Sequence, residues 1–236
     1  MDRRGFLRLS AVGLVSACSR DGGSPQPVHA VKQVRVEVWH DLICPWCCIG
    51  LSNLGNVLSG WRGPQVEVVL HPFLLSPDTP PEGTDLRAHL DAKYGASRSE
   101  QMFARVTQAG AQYGVVFNWE KVRVAPLSVP GHALLGFAPM DKQLTLLGAM
   151  HHAYFREGQN LGAVEVLASV ARVVGLDQDE AVQAALDPER QAEVRRRAAA
   201  ASAARITGVP HFRIGGPTLQ GARSPEDLRA AMTTPA

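Results

Sequence analysis

Three scarcities narrow this chain before any motif is considered. It has only four cysteines in 236 residues, Cys18, Cys44, Cys47 and Cys48. The last three fall within five consecutive positions, so no disulfide can staple distant parts of the fold, and stability must come from a packed core. Long apolar runs are missing too: none approaches the ~18 residues that would span a bilayer. Net charge is small, formally +2. The first 17 residues hold all of it, Arg3, Arg4 and Arg8 against Asp2, so the rest is neutral (+2 minus +2). A nucleic-acid binder would show a basic footprint, and none is present. The remaining composition, 45% hydrophobic and 19% charged, is that of an ordinary globular chain.

What the sequence does contain centres on Cys44-Pro45-Trp46-Cys47, followed at once by Cys48. The segment joins a strand-like run, Val34 to Trp39, to a helical pattern in which Cys47, Leu51, Leu54 and Leu58 share a face. Cys44 therefore falls at the first helical turn, where unpaired N–H groups and the helix dipole favour an anion. A thiolate is such an anion, so Cys44 is the expected nucleophile and Cys47, one turn on, its disulfide partner. Pro45 suits an early helical position, having no N–H to lose. Strand, C-x-x-C, helix is the context of a redox pair. Half of a zinc site or a buried structural pair is the competing reading, but a structural zinc site needs further ligands. No cysteine follows Cys48, and no His-x-x-x-His spacing occurs.

Ahead of this core, residues 1–17 read as an export signal: Asp2-Arg3-Arg4-Gly5-Phe6-Leu7, then a short apolar stretch from Leu9. Residues 18–33 are polar with Gly22-Gly23-Ser24-Pro25, a flexible tether. Residues 34–82 hold β-α-β: the first strand, the motif helix, and Val66 to His71. Val34, Val36 and Val38 alternate with Arg35 and Glu37, so one face should be wet at the start, with burial increasing toward Trp39. His40 and Asp41 stand between strand and motif, either as tuners of Cys44 or as a polar loop with an N-cap.

Residues 83–186 read almost wholly helical, with helices near 84–94, 98–113, 128–138, 141–157, 163–174 and 178–186. Gly175 is a plausible stop and Asp177 a plausible N-cap. Adjacent His151 and His152 diverge by about 100° on a helix, so one should be buried and one exposed. Residues 187–236 supply α-β-β-α. Asp187-Pro188-Glu189 starts a long helix on which Arg195-Arg196-Arg197 forms a solvated face. Gly208-Val209-Pro210 opens a strand, Gly215-Gly216 turns into another over 217–220, and Ser224 caps the last helix. The expected fold is α/β: a thioredoxin-like domain built from the two ends, interrupted by a large helical insertion.

These residues resemble the DsbA family of thiol–disulfide oxidoreductases, and within it the FrnE-like branch. The likeness rests on Asp41-Leu42-Ile43-Cys44-Pro45-Trp46-Cys47 with Ile49-Gly50, on Tyr154-Phe155-Arg156-Glu157-Gly158 with Leu161-Gly162, and on Gly208-Val209-Pro210 with Phe212 and Gly221-Ala222. It implies catalysis by Cys44 and Cys47 without a cofactor or metal. It also implies a cis peptide before Pro210, and a substrate chain held by Val209 and Pro210 beside Pro45 and Trp46. Cys48 stands where that branch usually has tyrosine, as packing or as an auxiliary resolving thiol. Val15-Ser16-Ala17-Cys18 resembles a bacterial lipobox, which implies lipidation at Cys18 and a membrane-anchored, extracytoplasmic enzyme. Its partners would be thiol or disulfide substrates and a redox partner, with no nucleic acid.

Two alternatives stay open. One is a glutathione-dependent transferase or isomerase of the kappa and chromene-carboxylate type, although that branch carries serine at the first active-site position. The other is a lipoprotein holding a soft ion such as Cu(I) through Cys44, Cys47 and Cys48. The anchor is directly testable. Cys18→Ala should leave the protein unprocessed or soluble, read by membrane fractionation and intact mass; unchanged fractionation and mass would sink the lipobox.

Overall fold

The computed structural model describes residues 33–216 and 218–233. Arg3, Arg4, Cys18 and nearly all of the tether lie outside the described residues. The chain runs β1 (Val34–His40), α1 (Pro45–Ser59), β2 (Val66–Pro72), then β3 (Thr84–Asp85), α2 (Leu86–Tyr94), α3 (Ala96–Ala111) and β4 (Val124–Ala125). There follow α4 (Val129–Phe137), α5 (Met140–Phe155), α6 (Val164–Val173), α7 (Gln178–Leu186), α8 (Pro188–Ala203), β5 (His211–Ile214), β6 (Thr218–Gln220) and α9 (Pro225–Thr233). A four-stranded sheet in the order β2-β1-β5-β6 carries the site. β1 runs parallel to β2, and β5 antiparallel to both β1 and β6. This is a thioredoxin fold with helices inserted between its two halves.

The helix boundaries follow local chemistry. Asp177 accepts N–H bonds from Asp179 and Glu180 at the start of α7, and Asp187 accepts one from Arg190 behind Pro188. The Ser224 hydroxyl accepts from Asp227 N–H at α9. Gly175 takes a positive φ of 71° just after α6, a backbone setting that favours glycine. His151 is buried and His152 exposed, as the 100° step requires.

Several elements differ from the sequence expectation. Thr84 and Asp85 are strand, paired with Ala125 and Val124, and α2 starts only at Leu86, where Asp85 is its N-cap. The gap between the expected helices 98–113 and 128–138 is a loop, as their bounds imply, in which Phe117 and Trp119 stack at 5.1 Å and Val124–Ala125 form the short strand β4. The face shared by Cys47, Leu51 and Leu54 is only part of the buried surface of α1. Cys48, Ile49, Gly50 and Asn53 are buried as well, because the helix passes between the sheet and the inserted helices.

Nor does burial along the first strand simply rise toward Trp39. Val36, Val38 and His40 are buried, whereas Glu37 and Trp39 stay on a half-covered polar face. There Glu37 binds both Arg213 and His71, and His71 stacks on Trp39 at 4.4 Å. Desolvation works against the Glu37 carboxylate, yet its bonds to Arg213 and His71 leave its pKa below the ordinary range. The Arg195-Arg196-Arg197 triplet of α8 is exposed, but two of its members are also ties. Arg195 donates to Pro77 O and Arg197 to Leu70 O, which fastens α8 to β2 and its exit loop.

Sheet and inserted helices share one core. Val36, Ile49, Met150, Tyr154, Phe155 and Phe212 belong to a single buried cluster. Phe155 is 1% exposed and meets Phe117 edge-on at 5.2 Å and Tyr154 at 4.8 Å. Phe155→Ala should therefore destabilise the protein by about 3–5 kcal/mol. The check is urea unfolding: the midpoint should fall with the slope unchanged, and an unshifted midpoint would contradict the packing described.

Candidate active site

Cys44 occupies the N-cap of α1 with extended φ and ψ of −86° and 114°, and Pro45 fills the first helical position. The turn is closed by Cys44 N–H donating to Asp41 O and by Cys48 N–H donating to Cys44 O, both at 3.1 Å. The Cys44 sulfur thus sits at the positive end of the helix. Across from it, the Cys44 Sγ lies 3.7 Å from the Val209 carbonyl. The Val209–Pro210 peptide is cis. A methyl group on Gly50 would stand 2.9 Å from Pro210 Cγ and 3.3 Å from the Phe212 ring, so glycine at 50 is what permits α1 to come this close. The chain folds 166 positions (210 minus 44) back onto the motif here.

The three thiols, unpaired in this structure, are not equivalent. Burial pushes the Cys47 thiol well above its ordinary pKa, and its hydrogen bond to Cys44 adds to the effect. Cys48 is pushed up to about 12, again by burial and then by Cys44. Cys44 opens onto a cavity of about 280 Å³ with Trp46, Leu90, Phe103, Tyr154 and Val209 among its walls. Trp46 forms its rim and is 36% exposed. Cys48 faces a different cavity, of about 340 Å³, beside His151 and Leu147. Phe155 contributes to both cavities. The three sulfurs therefore do not line one space, which disfavours a three-thiolate metal site and gives Cys48 the surroundings of a packing residue.

The sequence left His40 and Asp41 as a loop or as tuners. Both are fully buried, and Asp41 is not the N-cap. Its Oδ2 accepts the Leu75 N–H at 2.7 Å and its Oδ1 the Ile43 N–H at 3.4 Å, so the carboxylate fastens the motif loop to the exit of β2. Its Oδ1 lies 3.6 Å from Nε2 of His132, on α4. Sequence reasoning missed His132 entirely; the only available signal was a histidine in the strongly apolar run Val129 to Leu135.

Residues 35–233 match the DSBA-like thioredoxin domain family. Over 203 residues the chain is 28% identical to the uncharacterized protein YwbO of Bacillus subtilis (strain 168), covering 85% of this chain and 96% of that one. Among solved structures it is similar to a probable DsbA oxidoreductase of Streptomyces coelicolor: TM-score 0.74, 28% identity, 85% and 88% of the two chains covered. The cytosolic disulfide reductase DsbM of Pseudomonas aeruginosa, solved with GSH, shares the fold at 19% identity and TM-score 0.59, over 83% and 96% of the two chains.

The thiol asymmetry predicts labelling. With the Cys18→Ala protein fully reduced near neutral pH, iodoacetamide should modify Cys44 first. Cys47 and Cys48, whose raised pKa values keep them protonated, should follow only on unfolding. Peptide mass mapping with time checks this; prompt labelling of Cys47 would contradict the geometry.

Proposed function

The chain belongs to the DSBA-like thioredoxin domain family, and from that premise we propose that it is a thiol–disulfide oxidoreductase of the FrnE-like branch working outside the cytoplasm. Cys44 attacks a substrate disulfide, or is attacked through its own disulfide by a substrate thiol, and the resulting mixed disulfide is resolved by Cys47. The observation that carries this reading is the Cys44 sulfur held at the helix N-terminus, 3.7 Å from the Val209 carbonyl, with a protonated Cys47 bonded to it. In this arrangement the Val209 backbone pairs with the substrate chain next to its cysteine, and Pro210 limits access from that side.

The cavity beside Cys44 bears on the substrate. Its walls are mostly apolar and aromatic, and Lys93 is the one lysine or arginine among its lining residues. Lys93 lies 3.4 Å from Leu75 O and over the Tyr94 ring. A tripeptide thiol with two carboxylates finds little there, whereas an apolar side chain flanking a protein cysteine fits. The thiol at position 44 likewise separates this chain from serine-bearing isomerases. Anchoring through Cys18 after Arg3-Arg4-directed export would place the enzyme where disulfides form and persist.

The decisive experiment compares two variants on protein clients. Cys47→Ala should accumulate mixed disulfides, visible as reducible adducts, and Cys44→Ala should form none. Exchange that survives in Cys44→Ala would sink the proposal. The reduction potential of the pair then gives the direction: about −120 mV for disulfide formation, about −270 mV for reduction.

A further inference from the structure

The cavity of about 340 Å³ beside Cys48 is left unused by the chemistry at Cys44. It lies between α1, α5 and residues 114–116. Two rows of α5 build one side of it. Leu147, His151 and Phe155 recur every fourth residue and are buried, while Leu144, Gly148, His152 and Arg156 recur likewise along the outer side. The outer row runs from apolar to polar over about 18 Å (156 minus 144, at ~1.5 Å per residue). Glycine widens the apolar half. A Cβ on Gly55 of α1 or Gly148 of α5 would meet no atom within 4 Å, and neither glycine has a positive φ. Glycine is the costlier residue inside a helix, so both positions hold open a space that the chain itself does not fill.

The polar half is unfilled too. The His151 ring lines the cavity, and its buried Nε2 has no hydrogen-bond partner among the described residues, although buried polar atoms are normally satisfied. Burial holds its pKa down to about 3, so the ring is neutral and able to donate or accept. At the rim, exposed Arg156 makes no side-chain hydrogen bond or ion pair among the described residues. The neighbouring Glu157 is already held by Lys121 at 2.9 Å. The larger cavity of about 560 Å³, lined by His40 and His132, differs in this respect. Both ring nitrogens of His40 and Nε2 of His132 are orphaned there, but the arginines are engaged: Arg196 by Glu193, Arg197 by Leu70 O, Arg190 by the Phe137 ring.

We propose that the cavity beside Cys48 is a binding site for a free medium-chain carboxylate, an apolar chain with one anionic head, such as decanoate. The chain lies along Leu51, Leu144 and Leu147 over the two glycines. The head meets His152 and Arg156, whose guanidinium offers a carboxylate two parallel N–H bonds. On the buried side, the neutral His151 ring borders the head and supplies a donor without a charge that burial would oppose. Apolar walls with a few convergent polar groups are the ordinary makeup of a small-molecule pocket, and this one is at the small end of their range. It holds one chain, so a two-chain phospholipid with its phosphodiester does not fit. The site stands apart from the oxidoreductase reading and involves no covalent step. Because Phe155 walls both this cavity and that of Cys44, the ligand has to be located as well as detected.

The test is isothermal titration of decanoate into the reduced full-length Cys18→Ala protein, in which no lipid anchor competes. Saturable binding of one decanoate per chain is expected. Gly148→Leu should abolish it by filling the groove, with the thermal midpoint no lower than that of the parent; if that variant does not fold, Gly55→Leu reads the same space from α1. Arg156→Gln should weaken decanoate roughly tenfold, the worth of a hydrogen bond to a charged group, and leave decanol, which has the chain without the charge, unchanged. Protein alkylated at Cys44 with iodoacetamide should bind decanoate as the unmodified protein does. Phosphatidylglycerol vesicles should displace decanoate no better than phosphatidylcholine vesicles. Absence of saturable binding, or equal binding by Gly148→Leu, overturns the site. Loss on Cys44 alkylation places the ligand in the other cavity and overturns it too. Equal binding by Arg156→Gln overturns the anionic head, and displacement by phosphatidylglycerol alone overturns the free acid in favour of a membrane lipid. None of these outcomes bears on disulfide exchange at Cys44, which the mixed-disulfide experiment decides separately.

Discussion

The site depends on how closely α1 approaches the cis turn at Val209–Pro210. Two long-range arrangements have to agree at that point. Antiparallel pairing of β5 with β1, in the register Val38↔Phe212 and Trp39↔His211, brings the turn to the end of the strand that feeds the motif. Gly50 then lets the second turn of α1 close onto Pro210 and Phe212. A methylene excess at this contact would separate the Cys44 sulfur from the Val209 carbonyl, because interiors packed at crystal-like density cannot absorb it locally. The helix insertion serves the same end from the other side. Tyr154 and Phe155 of α5 pack into the core shared with the sheet and close the cavity onto which Cys44 opens.

What could be read from sequence was whatever a few neighbouring residues decide. Asp177, Asp187 and Ser224 start helices because a side-chain oxygen meets an N–H two or three positions on. The strand–C-x-x-C–helix context likewise put Cys44 at or just before the first helical turn, where it is the N-cap, and Cys47 one turn inward. What stayed hidden depends on partners far along the chain. Thr84 and Asp85 pair as strand only because Val124 and Ala125 are alongside. Trp39 stays on a polar face because Arg213 and His71 come to it from other strands. Asp41 reads as a loop residue until Leu75, 34 positions later, donates to it.

The site histidines show the limit most clearly. His40 ends a strand and His132 sits in an apolar helix, and neither position is unusual on its own. Their meaning comes from a 5.1 Å approach across 92 positions (132 minus 40) and from the cavity that they line jointly. A lone histidine in an apolar segment carries almost no information. Two buried histidines with orphaned nitrogens beside a buried carboxylate carry a great deal, because each orphan costs stability.

The two cysteines of the motif divide the chemistry because the helix turns them toward different surroundings. Cys44 meets the helix N-terminus, a backbone carbonyl and an apolar space of about 280 Å³. Cys47, three positions on, is sealed over the Asp41 backbone. In the proposed reaction substrate reaches only the first sulfur, and the second acts on what the first has captured. Cys48 is next to Cys47 in sequence, yet the ~100° step per residue turns it toward the cavity of His151. Its thiol is also pushed up to about 12, so close to neutral pH almost none of it is thiolate. Proximity along the helix thus does not make the three thiols alike; the direction each sulfur faces sets its surroundings.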